Sequence, residues 1–222
     1  TADTLGSNSV AVGVGALYTQ NFTTATNAYN VAVGRSAGLS VTTGVKNTLI
    51  GGLAGDAMTI GFNNIAIGYD ALGTNTASGA NVAIGYEALK TYNNTTEASH
   101  FNTAVGTQAG KAVTTGVQNT LIGGGAGDAL TDADSNVAIG YLSLTTDTLG
   151  SRSIAIGQGA LYSQNFTTGT NSYNVAVGYE AGGAVTTGDS NTLIGGLAGD
   201  ALTVGNSNVV LGYNALSSDT KG

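Results

Sequence analysis

Asn30-Val31-Ala32-Val33-Gly34 is one copy of a pentapeptide that recurs along the whole chain: a polar residue, three small or β-branched apolar positions, then glycine. Asn81-Val82-Ala83-Ile84-Gly85 and Asn191-Thr192-Leu193-Ile194-Gly195 are further copies. The closing glycines stand at 13, 34, 51, 68, 85, 106, 123, 140, 157, 178, 195 and 212. Their spacings run 21, 17, 17, 17, the same four again, then 21, 17, 17. Four units therefore make a super-repeat, in which Gly34, Gly106 and Gly178 share one phase. A fixed short period is the mark of a solenoid, in which each unit buries its apolar face only by stacking on the next.

Val, Ile and Thr dominate the pentapeptide and suit a pleated strand, and Gly, Asn, Asp and Ser follow it as turn residues. Seventeen residues are too few for a βαβ unit. The pattern predicts an all-β, parallel β-solenoid of twelve coils, each with two short strands and two turns. At about 4.8 Å per rung, twelve rungs make a rod of ~58 Å. The array is read as one domain, 1–222, with super-repeats at approximately 1–72, 73–144 and 145–216. Residues 145–150 and 217–222 match, and 1–6 share their phase, without atypical capping sequence at either end. Together with Thr rather than Met at position 1, this reads as a segment cut from a longer array.

Two columns are expected inside the coil. The residue before the closing glycine is Val, Ile or Leu in all twelve units, and the third residue after it is Ala in eleven and Ser143 in the twelfth. The middle position of each pentapeptide (Ala32, Leu49, Ala66) is apolar too. Side chains alternate across a strand, so both faces are apolar, and such strands are normally covered on both sides. The simplest outer cover is a second copy of the chain. The opening polar residue is Asn in ten coils and Ser in two, Ser9 and Ser153. It reads either as an amide ladder along the stack or as a residue suited to the preceding turn.

Composition agrees with a thin interior. The chain has 36 Gly, 10 Tyr and 4 Phe, but no Pro, Cys or Trp. Absence of Cys removes disulfides, thiol nucleophiles and thiolate metal sites. A net charge of −7 opposes binding to nucleic acid and to anionic membrane surfaces. No apolar run is long enough for a membrane span, and no signal peptide is visible.

Ser9-Val10-Ala11-Val12-Gly13 and Ser153-Ile154-Ala155-Ile156-Gly157 resemble the head repeats of YadA-type trimeric autotransporter adhesins. Thr115-Gly116-Val117-Gln118-Asn119-Thr120-Leu121-Ile122-Gly123 is similar to repeats of phage tail fibres. The resemblance implies a left-handed β-roll assembled as a homotrimer. The adhesin heads use a shorter repeat, and this chain has no coiled-coil heptads, neck or membrane anchor.

Candidate chemistry is sparse. His100 is the sole histidine, and its equivalents one super-repeat away on either side are Ala28 and Ser172; it reads as a solvated loop residue. Without a base beside a nucleophile, no Ser or Thr is a catalyst. Asp56, Asp128 and Asp200 recur inside Ala-Gly-Asp-Ala and are weak calcium candidates, near Asp132 and Asp134 in one repeat. A turn aspartate bonding its own backbone is the alternative. Glycine runs such as Gly123-Gly124-Gly125 lack the Lys-Ser/Thr of a phosphate loop. Thr42-Thr43, Thr114-Thr115 and Thr186-Thr187 share a phase, and the intervening coils are read as lacking Thr there, which counts against a continuous ice-binding rank. The extra residues of the long coils fall within 18–29, 90–101 and 162–173 and carry Tyr18, Phe22, Tyr29, Tyr92, Phe101, Tyr162, Phe166 and Tyr173. These are candidates for surface contact with sugar or protein, or for packing on the coil edge. No cofactor is indicated. The expected role is a non-enzymatic fibre segment on a virion or cell surface, giving reach and contact with a host glycan or protein. An adhesin head binding matrix or glycan is the first alternative, and an ice- or calcium-binding solenoid the second.

Overall fold

The computed structural model describes residues 3 and 5–222. The chain divides into two compact units, Thr1–Gln108 and Ala109–Gly222. The boundary falls inside the second super-repeat. Among the described residues every regular element is a strand.

The first unit contains β1 (Gly6–Ser7), β2 (Val10–Val12), β3 (Thr26–Asn27), β4 (Val31–Val33), β5 (Thr48–Ile50), β6 (Ile65–Ile67), β7 (Val82–Ile84) and β8 (Thr103–Val105). Six of these form one parallel sheet in the order β2-β4-β5-β6-β7-β8. The register is the sequence period itself. Val31 lies beside Thr48 and Ala32 beside Leu49, one short period on, while Val10 lies beside Val31, one long period on. β1 and β3 form a separate parallel pair, made where a long coil supplies the extra chain.

The second unit contains β9 (Thr120–Ile122), β10 (Val137–Ile139), β11 (Gly150–Ser151), β12 (Ile154–Ile156), β13 (Thr170–Asn171), β14 (Val175–Val177), β15 (Thr192–Ile194) and β16 (Val209–Leu211). Its parallel sheet runs β9-β10-β12-β14-β15-β16, and β11 pairs with β13 across its own long coil. Each unit is therefore a parallel β-solenoid of six coils. A coil holds one three-residue strand rather than the two strands expected; the second appears only as two-residue pairs beside long coils.

The closing glycine ends each strand. Gly34 has φ +139°, and a Cβ there would lie 2.4 Å from the Gly51 carbonyl oxygen one rung away. Only glycine meets both demands, which explains the twelve-fold column. The rest of the coil bends through left-handed corners. Leu17, Leu72 and Leu89 have φ between 46° and 53°, a conformation costing about 1–2 kcal/mol per non-glycine residue. All three are buried, so packing offsets that cost.

The middle pentapeptide column faces the interior, and its size is matched by the corner column. Where the middle residue is Leu49, the corners above and below are Gly38 and Gly55, whose Cβ atoms would stand 2.7 and 2.8 Å from Leu49 methyls. The second unit repeats this with Leu193 between Gly182 and Gly199. Away from these large middle residues the corner is itself a buried leucine, as at Leu72, Leu89 and Leu161. The column before the glycine, expected inside, points outward instead: Ile50 is 37% exposed whereas Leu49 is fully buried. Strand alternation forces this once the middle residue faces in. The alanine column after the glycine is interior as expected (Ala37, Ala54, Ala126, Ala160), and buried Ser143 donates to the Gly140 carbonyl.

The asparagines form a buried ladder. Asn30 Oδ1 accepts the Asn47 backbone N–H at 2.9 Å, and the same link joins Asn47 to Asn64 and Asn64 to Asn81, each at 3.0 Å. Asn30 Nδ2 also donates to the Gly44 carbonyl and Asn47 Nδ2 to the Gly61 carbonyl. In the second unit Asn136 bonds Asn119, and Asn208 bonds Asn191, in the same way. One side chain satisfies donors and acceptors on successive rungs, which permits so many fully buried amides.

Candidate functional site

The long coils fold their insertions back on themselves. Phe22 (5% exposed), Phe166 (7%) and Tyr92 (0%) are buried, so for these three packing within the coil, the second of the two alternatives, holds in place of surface contact. Each covers an otherwise open edge of its coil. Tyr18, Tyr29, Phe101, Tyr162 and Tyr173 are exposed, as a contact role requires. Tyr29, Phe101 and Tyr173 occupy the same left-handed corner, φ 49–56°, which aims their rings outward. Arg152 lies 5.9 Å over the Tyr173 ring.

His100 is 7% exposed, which corrects its reading as a solvated residue. Its Nδ1 is 2.7 Å from the Tyr92 hydroxyl and its Nε2 is 3.0 Å from Thr96 Oγ1. A neutral ring accepting from Tyr92 and donating to Thr96 satisfies all three groups. Burial holds the imidazole below its ordinary 6.5.

In the other two long coils a glutamine occupies the place of Tyr92. Gln164 Nε2 donates to Asp147 Oδ2, and Asp147 Oδ1 accepts from the Gly150 and Phe166 backbone N–H groups, each at 3.0 Å. Gln164 Oε1 accepts from Asn174, joining this network to the asparagine ladder. Gln20 repeats the pattern with Asp3 and Asn30.

The aspartates of Ala-Gly-Asp-Ala share a phase but not an environment. Burial, and then the Asp70 charge, push the Asp56 carboxyl above its ordinary value. Asp128 accepts from Thr145 Oγ1 at 2.5 Å. Asp200 Oδ1 is buried without a hydrogen-bond partner. Asp132 and Asp134 bond Thr115 and the Val117 backbone of the preceding rung. Among the described residues no three His, Asp or Glu side chains gather at metal-binding spacing.

The first threonine of each doublet does have equivalents on intervening coils, contrary to the doublet reading. Thr42 Oγ1 donates to the Thr59 carbonyl, Thr59 to the Thr76 carbonyl, and Thr76 to Asn93 Oδ1. Thr114, Thr131 and Thr148 repeat the chain in the second unit. These hydroxyls stitch rungs together, and their protons face the backbone rather than solvent.

Sequence reading missed a tyrosine column directly after the closing glycine. Tyr69 and Tyr86 are exposed and stacked, with ring centres 5.9 Å apart. Tyr141, Tyr179 and Tyr213 are exposed in the second unit. The repeat frame makes this column visible once it is known that the pre-glycine residue faces outward.

A continuous outer sheet face runs along each unit. Val31, Thr48, Ile65 and Val82 form one outward column, and Val33, Ile50, Ile67 and Ile84 the other. Their exposure is half or less, with Ile50 and Ile65 at 37%. Thr120, Val137, Ile154, Val175 and Thr192 continue the design in the second unit. The chain matches no known family model, and no curated protein or solved structure is significantly similar to it.

Proposed function

We propose that this chain is a structural fibre segment, displayed outside the cell or on a virion, that assembles as a homotrimer through the outer sheet faces. The observation that carries the reading is the pair of outward columns of Val, Ile, Thr and Leu, uncharged and continuous over six strands in each unit. An apolar sheet face left in water is an association site, since soluble monomers rarely expose contiguous apolar surface on that scale. A copy of the same face is its natural complement, because identical rows spaced at the strand interval interdigitate without register conflict. Threefold closure comes from the resemblance to adhesin heads and tail fibres. Repetition without a catalytic constellation suits reach and display, and the exposed aromatics of the long coils suit contact with a host glycan or protein.

Light scattering on the purified chain tests the assembly: a trimer mass is expected. Ile50→Lys with Ile65→Glu is expected to yield monomers that keep their β circular dichroism. A wild-type chain that stays monomeric at micromolar concentration removes the basis of the reading. Because the threonine hydroxyls are bonded internally, no thermal hysteresis is expected.

A further inference from the structure

The second unit holds an open cavity of about 440 Å³, within the ~300–1,000 Å³ typical of small-molecule clefts. Tyr141, Gln158, Tyr162, Glu180 and Asp200 line it, and Gly159 gives it depth. Tyr141 and Tyr162 are exposed rings. The Glu180 carboxylate holds the neighbouring Tyr179 hydroxyl above its ordinary pKa. Among the described residues neither Glu180 nor Asp200 forms an ion pair, and the buried Asp200 Oδ1 has no hydrogen-bond partner. Two carboxylates and two aromatic faces converge on one space without a cation.

Five of the equivalent positions one super-repeat earlier fall in the first unit, and they are filled. Asp70 stands for Leu142, Tyr86 for Gln158, Glu87 for Gly159, Lys90 for Tyr162 and Gln108 for Glu180. There the Lys90 ammonium lies 2.8 Å from Glu87 and 2.9 Å from Asp70. Gln108 donates to the other Glu87 oxygen at 3.0 Å, and Tyr69 stacks on Tyr86. The Glu87 and Asp70 bonds hold the lysine above its ordinary proton affinity. The chain thus supplies its own ammonium at this position in one unit and omits it in the other, where glycine replaces the bulky acid beneath it.

We propose that the cavity of the second unit binds an alkylammonium group from outside the chain, as the side chain of a lysine or the amine of an amino sugar. Carboxylates are acceptors and favour a cationic donor over a neutral hydroxyl. The tyrosine faces add cation–π attraction, the device by which aromatic pockets select ammonium ligands. Lys90 shows that the fold accommodates an ammonium between carboxylates at this corner. The site goes beyond the fibre reading and does not depend on its assembly.

The test is titration of the full chain, in whatever oligomeric state it adopts, followed by tyrosine fluorescence. The probes are Nα-acetyl-lysine methylamide and glucosamine, each paired with its N-acetylated neutral analogue. Dissociation constants on the order of 1 mM are expected for an amine at one such site, with the acetylated analogues at least tenfold weaker and binding weakened by salt. Binding by one amine alone identifies the source, stem or sugar ring. Leu142→Asp/Gly159→Glu/Tyr162→Lys, which installs the first unit's own lysine, is expected to abolish the response. Glu87 already occupies the left-handed corner that Gly159→Glu requires. Should that variant misfold, Glu180→Gln is expected to weaken binding at least fivefold. Equal binding of amines and acetylated analogues, or an amine response unchanged in Glu180→Gln, overturns the proposal.

Discussion

The long coil at 90–101 and the long coil at 162–173 have the same length and phase, yet close their interiors with different chemistry. The first seals with an aromatic pair, Tyr92 on His100. The second seals with Gln164 on the fully buried carboxylate of Asp147. Both stand in one interior column, seven positions after the closing glycine, where other coils place Val41, Met58, Leu130 or Leu202. The buried polar side chains of this column (Gln20, Asn75, Tyr92, Asp147 and Gln164) thus stand in a long coil or in the coil before one. The two coils show that the super-repeat is an interior pattern, set by where the buried polar network must meet the inserted loop, and not simply a surface spacing.

Removing the carboxylate breaks that comparison most severely. Asp147→Ala leaves the Gly150 and Phe166 N–H groups and the Gln164 amide without their acceptor, and a loss of about 3–5 kcal/mol is expected in denaturant unfolding. Asp147→Asn keeps one carbonyl acceptor for the Gly150 and Phe166 N–H groups but sets an NH2 against the Gln164 amide, so its loss should be about 1–2 kcal/mol. In the other coil Tyr92→Phe keeps the ring and deletes the bond to His100, costing about 1–2 kcal/mol in the same assay. Equal effects of Asp147→Ala and Tyr92→Phe would dissolve the distinction between the two seals.

Acid should separate the coils more gently. The folded state holds His100 below 6.5, so the unfolded chain takes up its proton first as pH falls. Stability is full above that value and declines as pH drops through it. Melting temperature between pH 7.5 and 5.5 should fall for the wild type and stay flatter for His100→Gln. The smallest effect is at the outward corner: Phe101→Ala should alter stability by no more than about 0.5 kcal/mol, against about 3–5 kcal/mol for buried Phe166→Ala. A large loss at Phe101 would show that the exposed corner aromatics are structural.

Much of the fold was legible because a solenoid writes its register as a sequence period. The glycine column was readable at once, since a residue excluded by its neighbour's carbonyl on every rung can only be glycine. The burial of Phe22, Tyr92, Phe166 and His100 was not legible, because an insertion's side chains fold inward or outward according to a loop path that has no repeat to average over. The cavity at Tyr162 was half legible: the tyrosine stood out, but its setting depends on Gly159 and Glu180, one from each of two adjacent rungs.

The sequence by itself determined the parallel stacking, the alternation of short and long periods in the register and the buried character of the alanine column. Periodicity states which residues share a column, and backbone hydrogen bonding then leaves little freedom in how the columns align. Only the tertiary structure decided which way each strand column faces. The middle residue of the pentapeptide turns inward because Leu49 fits between Gly38 and Gly55, a size match between different columns and different rungs. No single column contains that information, and the orientation of the outer face follows from it.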